Sequence, residues 1–242
     1  MAQERRHRGP HPQDAELFDV ERIETLRAAV ADLSWLRTRG YADPSAIKLV
    51  GDRYQLRARQ RTAVGRCACS DQAKARRAEA RLAATAVGGR RLAIDGLNVL
   101  TTLEVALAGG VLLLGRDGCL RDMASFHGNY RLVQETDRAV EFLLQSLDDL
   151  GVAEAFVYID RPVSNSGRLA QVIREASVRF ATTVEPILSD KVDATLKSYD
   201  SVVATADSAI LDASGAWMNL AHDVIAAQRG ELTPLWLLDL SQ

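Results

Sequence analysis

The spacing of apolar positions changes part-way along the chain. Between Glu16 and Gly40, Leu17, Val20, Ile23, Leu26, Val30, Leu33 and Leu36 recur at three- and four-residue steps, which predicts one amphipathic helix ending on Gly40. A second helix is expected from Asp43 as N-cap, with Pro44 at its first position and Leu49, Leu56 and Ala63 at seven-residue steps, running on to about Ala68. A third is expected from Ser70 or Asp71 to the Gly88–Gly89 break. Beyond Gly89 the pattern becomes short apolar runs, "RLAID", "GVLLLG", "EAFVYID", "TTVEPIL", "SVVATAD" and "PLWLLDL". They alternate with the amphipathic segments "NVLTTLEVALAG", "CLRDMASF", "RLVQETDRAVEFLLQSLDDLG", "SGRLAQVIREASVRF", "DKVDATLKSYD" and "GAWMNLAHDVIAAQ", read as helices. Strands alternating with helices predict an α/β domain with a central parallel sheet.

The expected organisation is a disordered arm over 1–14, a helical domain over 15–89 and an α/β domain over 90–242. The arm reading rests on its charge, on Gly9, Pro10 and Pro12, and on its lack of apolar periodicity. No apolar run approaches the roughly 20 residues of a membrane span, and the first residues do not form a signal segment, so a cytoplasmic protein with no membrane partner is expected. Cys67, Cys69 and Cys119 lack the further Cys or His cluster of a zinc site and read as buried thiols.

Net charge is only −2, but it is unevenly spread. Residues 53–91 carry eleven basic side chains against two acidic ones, whereas from Leu92 onward eleven basic face 21 acidic. Arg53, Arg57 and Arg61, at four-residue steps, form a basic row on the expected second helix, suited to sequence-independent phosphate contacts. A basic module joined to an acidic one suggests that the first holds a polyanion and the second processes it. Two oppositely charged surfaces packed on each other would give the same composition.

Three apolar runs end on the same residue type, at Asp95, Asp160 and Asp207. Ligands of open α/β sheets bind beyond the carboxyl ends of parallel strands, so neighbouring strand-end aspartates converge. Carboxylates gathered without a counter-ion raise each other's pKa, and such a cluster suits a hard divalent cation, Mg²⁺ or Mn²⁺. One strand-end Asp alone would read as a helix cap. Asp193, on the first turn of "KVDATL", is a fourth candidate, while Asp190 reads as a cap.

"AIDGLNVL", "KVDATL" and "VVATADSAIL" resemble the acidic motifs of the PIN and NYN-like ribonuclease superfamily, in which a first strand ends in Asp within an Asp-Gly-x-Asn segment. From about Val20 the chain also resembles a prokaryotic family of unknown function, through "LVGDRYQLRARQR", "GRDGCLRD", "HGNY" and "DRPVSNSGRL". The first resemblance implies a PIN-like three-layer α/β/α domain and a metal-dependent nuclease acting on RNA. It implies Asp95, Asp193 and Asp207 as metal-binding acids, Asp160 as a fourth, and Asn98 as a residue ordering the first loop. The NYN pattern often has a second acid two residues after the third-strand Asp; here Ala209 stands there, with Asp212 as a substitute on the helix. A non-catalytic RNA- or nucleotide-binding protein with an eroded site is the alternative.

Other residues fit a phosphodiester substrate. Ser164, Asn165, Ser166 and Gly167 form a strand-to-helix turn suited to an anion, with Arg168 beside it, or else an ordinary cap. Arg116 and Arg121 read as phosphate clamps or as partners of Asp117 and Asp122. His127 and Asn129 are loop groups within possible reach of the site, and Glu104 reads as a helix-surface residue or a further acid.

Overall fold

A computed structural model describes residues 7–124, 129–232 and 234–242. The N-terminal helices are shorter and more numerous than the apolar spacing suggests. The first expected helix is split into α1 (Asp14–Leu17) and α2 (Ile23–Thr38). The Asp19 carboxylate accepts the Glu21 N–H at 3.0 Å, a local bond that competes with the helical ladder and leaves Val20 76% exposed. The second divides into α3 (Asp43–Arg53) and α4 (Ala58–Cys67). Gln55 adopts a left-handed conformation (φ 51°), with Leu56 N–H donating to Gly51 O and Gln55 N–H to Asp52 O. This is a Schellman stop built without glycine, so no composition signal announces it. Arg53, Arg57 and Arg61 therefore do not share a helical face, and Leu49 is exposed. A third helix, α5 (Asp71–Ala80), ends well before Gly88.

Five strands form one parallel sheet: β1 (Arg91–Asp95), then, after the helix α6 (Gly96–Leu107) and a separate hairpin, β4 (Glu154–Asp160), β5 (Thr183–Ser189), β6 (Val202–Ala204) and β7 (Ala216–Met218). Their spatial order is β5-β4-β1-β6-β7. From β1 the chain winds outward through β4 and β5, then returns to lay β6 on the other side of β1, so the direction of winding reverses between β1 and β6. Helices α6, α7 (Thr136–Asp149), α8 (Ser166–Ser177) and α11 (Leu220–Ala227) cover one face, where Leu92 and Ile94 of β1 and Val202 and Ala204 of β6 point. Ala93 and Val203 point to the other face, beneath α9 (Val192–Lys197) and α10 (Ser208–Leu211). The result is a three-layer α/β arrangement with helices on both faces of the sheet.

The hairpin is β2 (Val111–Leu114) and β3 (Leu120–Asp122), and with β8 (Trp236–Asp239) it makes a second sheet of order β3-β2-β8. Residues 120–122 are thus strand where a helix is expected, and "GVLLLG" and "PLWLLDL" lie outside the main sheet. The hairpin signal is Asp117-Gly118, with Gly118 at φ 73° and its N–H donating to Gly115 O at 2.9 Å. Likewise β7 occupies the start of the segment read as a helix from Gly215. Val111, Leu113 and Leu238 of this second sheet, with Met123 and Leu240 just beyond its strands, complete the apolar core of α1 to α4.

The arm is packed from His7 onward. Arg8 donates to the fully buried Glu104 carboxylate at 2.6 Å and lies over the Tyr130 ring, His7 pairs with Glu135, and Arg59 pairs with the buried Asp14. Glu104 is accordingly a core residue of α6 rather than a surface one, and burial pushes its carboxyl above the ordinary range.

One buried carboxylate links the helical unit, the hairpin and the loop after β6. Asp117, at the hairpin turn, accepts from Arg77 of α5 at 2.5 Å and from both terminal nitrogens of Arg121 of β3 at 2.8 and 2.7 Å. Arg121 Nε donates to Ala206 O, Arg77 Nη2 donates to Ser208 O, and the buried Trp217 indole donates to Arg77 O. Burial alone would push the Asp117 carboxyl up; the two guanidiniums outweigh it and hold the group far below the usual carboxylate range. Asp117→Ala leaves Arg121 buried without a carboxylate and Arg77 with Asp212 alone, so urea unfolding is expected to show a loss of about 3–5 kcal/mol.

Candidate functional site

The site begins where β1 ends. Asp95 accepts the Asn98 N–H at 3.4 Å as cap of α6, so the following residue must turn immediately into the helix. Gly96 is required there because a Cβ would stand 2.8 Å from Tyr158 O of β4. Asn98 reaches sideways, its Oδ1 accepting the Ala206 N–H at 2.9 Å, and so ties the start of α6 to the loop after β6. It orders that loop as well as its own.

Parallel register decides what meets Asp95. Ile94 lies opposite Ala204, which places the next residue of the β6 loop, Thr205, beside Asp95. The Thr205 hydroxyl donates to Asp95 Oδ2 at 2.9 Å and accepts the Asp207 N–H at 3.0 Å. Asp207 caps α10, its Oδ1 accepting from Ala209 and Ile210. On the other side Asp95 lies opposite Tyr158, so Asp160 stands two residues further along β4. Asp193 enters from the first turn of α9. All four sequence-predicted aspartates line a single cleft of about 860 Å³, at the carboxyl end of the sheet and at the point where its winding reverses.

The far wall of this cleft is the helical unit, contributing Arg37, Tyr41, Asp43, Arg66 and Arg77. Seven aspartates and four arginines line it. Three of the aspartates are paired: Asp43 with Arg37, Asp122 with Arg66, and Asp212 with Arg77 and Arg76. Asp212 is thereby committed to holding α5 and does not substitute for an acid at Ala209. Asp95, Asp160, Asp193 and Asp207 have no cationic partner among the described residues. Burial pushes the Asp95 carboxyl up to about 7 against the lowering effect of its two hydrogen bonds, and the charges of Asp207 and Asp160 push the same way. Burial, then the charge of Asp193, raises Asp160.

The donor chemistry fits a hard cation, since all four unpaired groups are carboxylates. Among the described residues no three acidic, imidazole or thiol groups stand together as a chelating set. Mg²⁺ retains several waters and needs only one or two direct carboxylates, so the cluster suits a cation held partly through water.

The other predicted residues lie elsewhere. Arg121 lines the cleft but is consumed by Asp117; Arg116 pairs with Asp71 at 2.6 Å and donates to Cys69 O. Arg53 pairs with Asp32 and Arg61 with Asp52, while Arg57 borders a separate depression with His11 and Glu16. Ser166 is buried and donates to Asp160 O and Val163 O, whereas Asn165 donates to Tyr130 O and Ser164 to Asn129 Oδ1, so this turn anchors the 129–130 segment. Arg168 is exposed on α8, outside the cleft. Asp190 pairs with Arg161 and makes no helix cap. His127 lies outside the described residues. Thr205 is the site residue that sequence reasoning passes over; its signal is the Thr two residues before Asp207 at the end of an apolar run. Cys67, Cys69 and Cys119 are buried free thiols, as expected. No described helix is long and apolar enough to cross a membrane.

A family described as "Domain of unknown function (DUF5616)" matches residues 84–223. The chain belongs to the DUF5616 family. Its DUF5616 segment contains Asp95, Asp160, Asp193 and Asp207. A second family, "Protein of unknown function (DUF434)", matches residues 25–79, which supply Arg37, Tyr41, Arg66 and Arg77 of the opposite wall. The chain is 32% identical over 187 residues to the uncharacterized protein MJ0935 of Methanocaldococcus jannaschii, covering 77% of this chain and 89% of the relative. No solved structure matches.

The raised carboxyls set a pH dependence. Between pH 4 and about 7 the folded protein retains a proton on Asp95 that the unfolded chain has lost, so this group's contribution to stability falls as pH rises through that window. In chelator, wild-type melting temperature is expected to drop by several degrees from pH 5 to pH 8. Asp95→Asn, which keeps the shape and removes the charge, should flatten that drop and melt higher than wild type at pH 8, as scanning calorimetry would show.

Proposed function

We propose that the protein is a metal-dependent nuclease acting on RNA, with a PIN/NYN-like α/β domain. The observation that carries this reading is the convergence of Asp95, Asp160, Asp193 and Asp207 in one cleft, where they alone among the lining aspartates lack an arginine. A cluster with this excess of negative charge repels a polyanion and attracts divalent cations, so RNA enters as a partner of the cation-loaded site. The "AIDGLNVL", "KVDATL" and "VVATADSAIL" motifs that resemble the PIN and NYN ribonucleases contain Asp95, Asp193 and Asp207 and supply the preference for RNA.

Asp95 and Asp207, bridged by Thr205, would hold Mg²⁺ or Mn²⁺, with Asp160 and Asp193 as further ligands, directly or through water. The bound cation supplies a low-pKa water and neutralises charge on the leaving oxygen. Thr205 and the Asn98 N–H orient the Asp95 carboxylate, and Asn98 fixes the loop that carries Asp207. Because Asp95 must be ionised to bind a cation, cleavage should rise with pH up to neutrality.

A non-catalytic RNA-binding protein is the competing reading, favoured by Ala209 and by the lack of a direct three-group chelating set. Cleavage of end-labelled single-stranded RNA distinguishes them. Wild type should cut in Mg²⁺ or Mn²⁺ and stop in chelator, and Asp95→Asn should be slower by at least about a hundredfold, as loss of a ligand that stabilises the transition state by several kcal/mol requires. Wild type that binds RNA across a broad substrate panel without cutting it would replace the nuclease reading with the binding one.

A further inference from the structure

The four arginines of the cleft are all spent on the protein itself: Arg37 on Asp43 and the Gly65 and Ala68 carbonyls, Arg66 on the Asp122 and Ala124 carbonyls, and Arg77 and Arg121 on Asp117. If RNA enters this cleft, phosphate contacts alone do not explain what the helical wall contributes. One lining side chain has no structural employment. Tyr41 is 55% exposed, packs in none of the apolar clusters, and its hydroxyl has no hydrogen-bond partner among the described residues. Its backbone, by contrast, is firmly set: its N–H donates to Leu36 O at 3.2 Å, and it follows Gly40, whose φ of 78° turns the chain out of α2. An exposed aromatic ring on a fixed backbone, lining the same cleft as a carboxylate cluster, is suited to a flat apolar ligand. Close by in sequence, the Arg39 guanidinium stacks on the exposed Trp35 ring at 3.6 Å, so the end of α2 presents aromatic and cationic surface together.

We propose that Tyr41 is a base-stacking platform, on which an unpaired nucleobase of a single-stranded RNA lies while the adjoining phosphate faces the aspartate cluster. The inference rests on the RNA-binding half of the reading above and extends it to the helical unit. A tyrosine ring loses little rotamer freedom on contact, and stacking tolerates any base, so the platform would position single strands without selecting sequence. Bases of a duplex keep their faces covered, which makes the platform blind to paired RNA.

The test uses the full chain with Mn²⁺ and a short single-stranded RNA carrying 2-aminopurine, its linkages phosphorothioate to resist cleavage. Tyr41→Ala should weaken binding by about ten- to a hundredfold and abolish quenching of the 2-aminopurine. Tyr41→Phe should keep both within about twofold, and binding of the matching duplex should be unchanged by either substitution. Melting curves should show both variants folded, since the side chain is exposed. Unchanged binding by Tyr41→Ala, equal losses for single strand and duplex, a loss in Tyr41→Phe as large as in Tyr41→Ala, or no binding by wild type would each overturn the proposal. The two readings fail separately: binding that depends on Tyr41 without any cleavage of unmodified RNA removes the nuclease and keeps the platform, whereas Asp95-dependent cleavage with binding indifferent to Tyr41 does the reverse.

Discussion

The Asp117 carboxylate, buried between the guanidiniums of Arg77 and Arg121, is the contact on which the rest of the structure depends. It sits on the turn of a hairpin, one of its partners is on the helical unit, and the other reaches the loop that follows β6. Three segments that are remote in sequence therefore meet on one charge. A buried pair of this kind adds little net stability compared with apolar packing, but it is strongly directional, because each group left alone would be a desolvated ion. The geometry it enforces is the cleft itself, with α5 held against the Ser208 carbonyl and the hairpin held against Ala206. Around it the Cys67 and Cys119 thiols are pushed up to about 12 by burial, which makes them inert packing groups rather than reactive ones.

That clamp also explains an asymmetry of charge. The basic excess of residues 53–91 reads in isolation as a nucleic-acid surface, yet several of its arginines are neutralised by the α/β unit: Arg66 by Asp122, Arg76 by Asp212, and Arg77 by Asp117 and Asp212. Opposite charge holds the two units together beside the apolar core that they share. Among the described aspartates that line the cleft, the four at the sheet edge remain uncompensated. Burial first, and then their mutual repulsion, raise Asp95 and Asp160, a destabilisation that persists in the fold because Thr205, Asn98 and the α10 cap determine where the carboxylates must be.

Much of this molecule follows from local pattern. The five strands that make the parallel sheet include four whose apolar runs are unmistakable, and the three strand-end aspartates announce their common edge because parallel strands all finish on the same side. The Asp-Gly-x-Asn segment has its meaning in the chain itself, since a carboxylate that caps a helix starting at once beside a neighbouring strand leaves room only for glycine next to it. Local pattern fails where the determining group is far away. The stop after α3 has no glycine, and β3 and β7 are three-residue strands whose apolar content is too short to show a period. Glu104 looks like a surface residue on its helix and becomes a core residue through Arg8, Tyr130 and Thr136, each distant along the chain.

The sequence by itself determined the α/β class, the helical N-terminal region, most of the parallel strands and the shared edge of Asp95, Asp160 and Asp207, because periodicity and strand polarity are properties of short segments. Asp193, on a helix, was joined to them by the family resemblance. Only the tertiary structure decided that the hairpin and the last strand leave the main sheet to complete the core of the helices, and that Asp212, Arg116 and Arg121 are consumed by ion pairs. It also decided that Thr205 orients Asp95 and that Tyr41 lines the same cleft as the acids. Those outcomes depend on which charges and which strand edges are brought within a few ångströms of each other, and contacts between distant segments leave no trace in local spacing.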